Sequence, residues 1–277
     1  MSAQEGETLN NPNNGGMSPE MMTYVAKVPA LTLVFWIIKI LCTTIGETGG
    51  DAVTMSFLGE TTAEATGYGY LIGTGVFGVI FIIAVAIQIK AKKFHPFLYW
   101  FTIVATTTVG TTLADYTTRS MGIGYTGGST ILLICVIASL VIWRSVTGTI
   151  AISSVRDARS EIFYWTTIMF SQTLGTALGD WFADTADLGY LGAAAVFGGG
   201  LVVLVLLYYF TSVSRTILFW IAFILTRPLG AVVGDFLDKP YDKGGLELSR
   251  YVATAILLVL ILGAILIFPQ KPAEEAH

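Results

Sequence analysis

Residues 35–51 read FWIIKILCTTIGETGGD, and three later stretches repeat the plan: YWFTIVATTTVGTTLAD at 99–115, YWTTIMFSQTLGTALGD at 164–180 and FWIAFILTRPLGAVVGD at 219–235. Each opens on an aromatic pair that ends in Trp36, Trp100, Trp165 or Trp220. Ten residues further on stands Gly46, Gly110, Gly175 or Gly230. Fourteen residues on comes a small residue (Gly50, Ala114, Gly179, Gly234), and fifteen on an aspartate (Asp51, Asp115, Asp180, Asp235). With 30 glycines and 9 aspartates in 277 residues, a random tryptophan would match the glycine and aspartate positions about once in 300. Four of the six tryptophans do, so the chain is a tandem array.

The intervals of 64, 65 and 55 residues between these tryptophans each contain two apolar stretches. A membrane-crossing helix needs about 20 mainly apolar residues, and eight such stretches fall near 29–50, 67–90, 96–117, 125–147, 161–182, 188–211, 216–237 and 246–268. The expected fold is an all-α membrane protein of eight transmembrane helices arranged as four tandem helical hairpins. The repeats run 28–94, 95–158, 159–213 and 214–268, between a disordered polar tail over 1–27 and a second polar tail over 269–277. Composition agrees. Hydrophobic residues make up 54% and charged residues 12%, with a mean hydropathy of +0.71, against about 25% charged residues in soluble domains. Residues 1–20 are polar and acidic and lack the basic and apolar regions of a signal peptide. Cys42 and Cys135 both fall inside spans, which argues against a disulfide framework or a zinc site.

Basic residues set the expected orientation. Nine lie on the tryptophan side (Lys27, Lys90, Lys92, Lys93, Arg144, Arg156, Arg159, Arg215, Lys271) and four opposite (Arg119, Lys239, Lys243, Arg250). This count places both termini in the cytoplasm and the aspartates outside, among Glu60, Glu64, Asp184, Asp187, Asp238, Asp242 and Glu247. The four two-span copies, each carrying the tryptophan, resemble a bacterial membrane-protein family catalogued as a repeat of unknown function. The resemblance runs from about Val28 to Phe268 and implies a bacterial inner-membrane protein. It implies no activity.

Function must then come from side-chain placement. At 100° per residue, positions 4, 7, 11 and 15 after each tryptophan return to one helix face. They read Ile40, Thr43, Glu47, Asp51; Val104, Thr107, Thr111, Asp115; Met169, Gln172, Thr176, Asp180; and Ile224, Arg227, Ala231, Asp235. The face is a polar ladder ending in an acid. Beside it runs a small-x-x-x-small step, Gly46/Gly50, Gly110/Ala114, Gly175/Gly179 and Gly230/Gly234, which lets helices approach closely in lipid. The four odd helices are therefore expected to pack together with their ladders inward. Ionisable residues within spans mark ion sites and pathways, so the ladder is the candidate site, with Glu47 and Asp51 as its core. The alternative for the aspartates is structural: near the helix ends they cap or terminate the helix. Lys39 and Arg227 are expected to neutralise acids. The tryptophans are expected to anchor the helix ends at the interface, or else to wall a gate. Pro228 is expected to kink its helix.

No phosphate-binding loop, nucleophile elbow or paired-histidine metal motif occurs, so the expectation is no enzyme, no cofactor and no nucleic-acid partner. The lipid bilayer is the expected surrounding, and homo-oligomerisation stays open. Five acids against Lys39 and Arg227 leave a formal excess of three negative charges. Oxygen-only donors then favour a hard cation such as Mn²⁺, Mg²⁺ or Ca²⁺, with proton coupling a further option. The readings that follow are a secondary transporter or conduit for a small cation, a non-transporting scaffold or envelope sensor, and a carrier of an anionic or organic solute acting through Arg227 and Lys39.

Overall fold

The computed structural model describes residues 26–63 and 65–273, and the expectations for Glu64 and for most of both tails lie outside them. Among the described residues the chain forms eight α-helices: α1 (Leu33–Asp51), α2 (Tyr68–Lys90), α3 (Pro96–Asp115), α4 (Gly124–Thr147), α5 (Ala158–Asp180), α6 (Gly189–Phe210), α7 (Arg215–Asp238) and α8 (Arg250–Ile267). Helix starts carry local signals. The Thr32 hydroxyl accepts the Phe35 N–H at 3.2 Å, Pro96 opens α3, and the Asp157 carboxylate accepts the Ser160 N–H at 3.2 Å. Just ahead of or at the start of α2, α4 and α6, Gly67, Gly124 and Gly189 hold φ between 63° and 77°, a conformation that side chains with a Cβ resist.

The odd helices form a closed ring, α1 against α3, α3 against α5, α5 against α7, and α7 back against α1. Each even helix lies outside that ring. Its main partner is the odd helix of the following repeat: α2 packs on α3, α4 on α5, α6 on α7, and α8 returns to α1. The four expected hairpins are therefore sequence units, and their helices are interleaved in space. The burial pattern follows. The most apolar stretch of α3 is 72% buried, while that of α2 is 17% buried and turns Ile72, Val76, Val79, Ile82, Ile83 and Ile87 outward.

Among the described residues seven helices are long and apolar enough to cross a membrane, and the chain is a multi-pass membrane protein by that measure. The exception is α5, whose Arg159, Glu161, Ser171, Gln172, Thr173, Thr176 and Asp180 lower its hydropathy. All of these except Arg159 are buried, so protein rather than lipid surrounds them. Two expectations at the ends need correction. Residues 26–27 are not part of a tail, because Ala26 is fully buried and Lys27 Nζ donates to Glu161 Oε1 at 2.6 Å. Nor is 271–273 free: Ala30 N donates to Lys271 O, and Ala273 N to Val28 O, both at 2.8 Å. These segments, with Ile152 and Val155, cover the tryptophan end of the ring.

Candidate functional site

The repeat builds the site layer by layer, because equivalent residues of the four odd helices lie at the same height in the ring. Next to the tryptophans, every aromatic partner stacks on the tryptophan of the following repeat. Phe35 meets Trp100 at 5.3 Å, Tyr99 meets Trp165 at 5.8 Å, Tyr164 meets Trp220 at 6.1 Å, and Phe219 meets Trp36 at 6.0 Å. Each such pair stabilises by about 0.5–1.5 kcal/mol beyond simple burial. The Tyr99 and Tyr164 hydroxyls share a 2.7 Å hydrogen bond across this layer. Trp100, Trp165 and Trp220 are at most 3% exposed, and Trp36 is half-buried. Trp100, Trp165 and Trp220 are thus packed inside one end of the ring, and Trp36 alone keeps a partly exposed face.

Glycines set the spacing of the helices. A Cβ on Gly46 would strike Thr107, on Gly110 Gln172, on Gly175 Arg227 and Pro228, and on Gly230 Thr43. In every repeat, then, the glycine ten residues after tryptophan receives the residue seven after tryptophan of the next repeat. The following step is similar: a Cβ on Gly50 would lie 3.1 Å from Thr111, on Gly179 3.2 Å from Ala231 and on Gly234 2.8 Å from Glu47. Ala114, fully buried, fills the fourth small position. Pro228 sits in one of these contacts, and α7 continues through it as a single helix.

The inward line is not quite the expected one. Ile40, Val104, Met169 and Ile224 are only half-buried, whereas Lys39, Ile103, Ile168 and Phe223, one position earlier, have no exposure. Lys39 therefore belongs to the axial line. It does not neutralise an acid; its Nζ lies 4.2 Å over the Phe223 ring. Above it come Thr43, Thr107, Gln172 and Arg227, all fully buried. Arg227 reaches upward, and the two hydrogens of its Nη2 are shared among Glu47 Oε2 at 2.9 Å, Thr111 Oγ1 at 2.6 Å and Thr176 Oγ1 at 2.5 Å.

The four aspartates form the last layer. They were expected near water, yet Asp51, Asp115, Asp180 and Asp235 are at most 3% exposed. The capping reading fails as well. Asp51, Asp115 and Asp180 make no capping hydrogen bond, and each chain continues through them into a π-helical turn, Ala52–Phe57, Tyr116–Ser120 and Trp181–Thr185. Two cations, counted from sequence only toward the orientation, serve the layer. Lys239 Nζ lies 2.5 Å from Asp51 and 2.9 Å from Asp235, and Arg119 lies 2.9 Å from Asp115 and 3.1 Å from Asp180. The signal that could have found them was local: both stand four residues after a repeat aspartate, where side chains on one helix meet. Buried Asp238 also belongs here, contacting Lys239 at 3.8 Å and Arg250 at 3.3 Å. Five ladder acids thus pair with three cations, Arg119, Arg227 and Lys239, while Lys39 stands apart from all of them.

Beyond the aspartates lies a cavity of about 510 Å³, whose lining includes Arg119, Lys239, Lys243, Arg250, Asp238 and Glu247. All four basic residues counted at this end of the chain border it. Within the ionic layer, carboxylate oxygens of Glu47, Asp51 and Asp235 lie within 4.8 Å of one another, the one grouping among the described residues able to hold a metal ion. Comparison with known proteins finds no match among curated proteins or solved structures. The four repeats themselves, at residues 34–94, 98–149, 163–214 and 218–268, match the family described as Repeat of Unknown Function (DUF347), and the chain belongs to that family.

Proposed function

We propose that this protein is a secondary transporter that moves a small cation along the axis of the α1–α3–α5–α7 ring. The observation that carries this reading is the buried grouping of Glu47, Asp51 and Asp235 carboxylates. Three carboxylates so close repel one another unless a positive charge sits among them, and Lys239 supplies it. Lys239 follows the end of α7 and borders the 510 Å³ cavity, so its ammonium is a tethered stand-in that an incoming cation displaces toward the vestibule. With Lys239 swung away, Asp51 and Asp235 offer two negative charges and oxygen-only ligands, which suits a hard divalent ion. Protons compete for the same carboxylates, and proton exchange is the natural coupling. The count of basic residues supports an orientation with the tryptophan end toward the cytoplasm, and the family resemblance supports a bacterial inner membrane.

The test is ion flux in proteoliposomes with Mn²⁺, Mg²⁺ and Ca²⁺ supplied one at a time under an imposed pH gradient. Glu47→Gln retains a hydrogen-bond acceptor for Arg227 and removes the charge, so it is expected to leave a folded protein that no longer carries the ion. Normal flux in that variant would refute the site. Loss of folded protein together with flux would favour a structural role for the acids.

A further inference from the structure

One layer below the ion pairs, the ring encloses polar groups that nothing among the described residues satisfies. Lys39 Nζ, Thr107 Oγ1, Gln172 Nε2 and Oε1, and Arg227 Nε and Nη1 are all buried without a hydrogen-bond partner. The four side chains have 0% exposure. They come from α1, α3, α5 and α7, one from each helix of the ring, at positions three or seven residues after the tryptophan. Buried polar groups are almost always paired, and so many orphans on adjacent layers of one axis call for a ligand.

The chemistry of the orphans defines that ligand. Every one except Gln172 Oε1 can donate a hydrogen bond, so the complement is rich in acceptors. Arg227 already spends one nitrogen on Glu47, whereas Lys39 has no carboxylate partner and rests only on the Phe223 face. Lys39 thus lacks an anionic partner, and a singly charged anion would supply one. Ile103, Ile168 and Phe223 share the height of Lys39 and are fully buried. They give the anion an apolar wall on one side, which suits a small carbon group and suits a uniformly hydrated inorganic anion poorly. At the aspartate end, Arg119, Lys239, Lys243 and Arg250 line the cavity against only Asp238 and Glu247. Such a basic mouth concentrates anions.

We propose that Lys39, Arg227, Gln172 and Thr107 form a binding site for a small monocarboxylate anion. This rests on the transport reading in one respect: the carboxylate is then carried together with the cation that binds the acids above it. The site itself is testable without flux. The full-length protein, purified in detergent, is titrated calorimetrically and followed by thermal unfolding with sodium acetate, propionate or lactate, and with chloride, phosphate or sulfate at matched ionic strength. Saturable binding and stabilisation are expected with the monocarboxylates alone. Lys39→Met keeps the apolar stem and removes the unpaired charge. It is expected to weaken carboxylate binding at least about tenfold while the unliganded protein melts no lower than wild type. Gln172→Leu is expected to weaken binding less, by about threefold. Failure of every monocarboxylate to bind, equal binding by Lys39→Met, or equally tight binding of phosphate or sulfate would overturn the proposal. Cation flux without carboxylate binding removes this site and leaves the transport reading standing, and carboxylate binding without cation flux does the reverse.

Discussion

The two ends of the ring follow the same four-fold plan and treat it differently. At the tryptophan end the symmetry is kept: four aromatic residues stack on four tryptophans, each on that of the next repeat. At the aspartate end four identical carboxylates are served by only two cations, Arg119 from the second repeat and Lys239 from the fourth. The equivalent positions in the first and third repeats hold Met55 and Asp184. Apolar stacking tolerates any number of identical units, since each pair adds its own small attraction. Buried charge must balance across the layer, so the repeat sequence has diverged where charge is handled. The four repeats are alike at the tryptophan end and differ at the aspartate end, where the charges lie.

The sharpest way to break this contrast is at Arg227. Arg227→Met leaves Glu47 buried without its cation, and unfolding measured by denaturant or heat should show a loss of about 3–5 kcal/mol. Adding Glu47→Gln to that variant should recover most of it. If the double variant is as unstable as the single one, charge balance is not what distinguishes this end. The helix spacing comes next. Gly179→Leu pushes α5 away from Ala231 and Val232, whereas Gly198 in α6 meets nothing within 4 Å. Overpacking at Gly179 should cost about 1–3 kcal/mol, seen as a melting temperature several degrees lower, with Gly198→Leu near wild type. Equal effects at the two sites would mean that the ring has no privileged interface.

Smaller effects test the tryptophan end. Tyr99→Phe removes only the hydrogen bond to Tyr164, and its expected cost is about 1 kcal/mol with flux unchanged. A large loss of flux would show that the aromatic end takes part in conduction. Least of all is expected at Asp157, exposed ahead of α5, whose carboxyl the hydrogen bonds from Ser160 hold below the usual carboxylate range. A depressed value means that the carboxylate stabilises the fold fully above about pH 4 and less as pH falls through the lowered value. Asp157→Ala should cost under about 1 kcal/mol at neutral pH, and the difference should shrink in acid, as thermal melts across pH would show.

Much of this organisation was legible in the sequence, for identifiable reasons. The tryptophan, glycine and aspartate of each repeat lie on one helix at fixed spacing, so helical periodicity alone puts them in register. The partner of each even helix was not legible. Residues such as Ile82, Val203 and Leu258 face outward and carry no mark of which neighbour lies behind them. Arg119 and Lys239 stand just beyond the apolar stretches ending near 117 and 237, whereas a π-helical turn carries the helix on over Tyr116–Ser120 and α7 runs to Asp238, which brings both cations back to the aspartates. Lys39 was assigned an acidic partner on charge alone. Its neighbour proved to be an aromatic ring, Phe223, on the fourth repeat.

Ring closure also has a temporal side. Glu47 and Asp51 leave the ribosome long before Arg227 and Lys239, their partners 180 and 188 residues later. At about 5–20 residues per second of synthesis, that gap lasts roughly 10–40 s. For that time α1 holds Lys39, Glu47 and Asp51 without the helix that completes their surroundings. The first repeat must therefore wait in a sheltered place, at the insertion machinery or against α3, and a chain that stops before the fourth repeat is expected to be degraded.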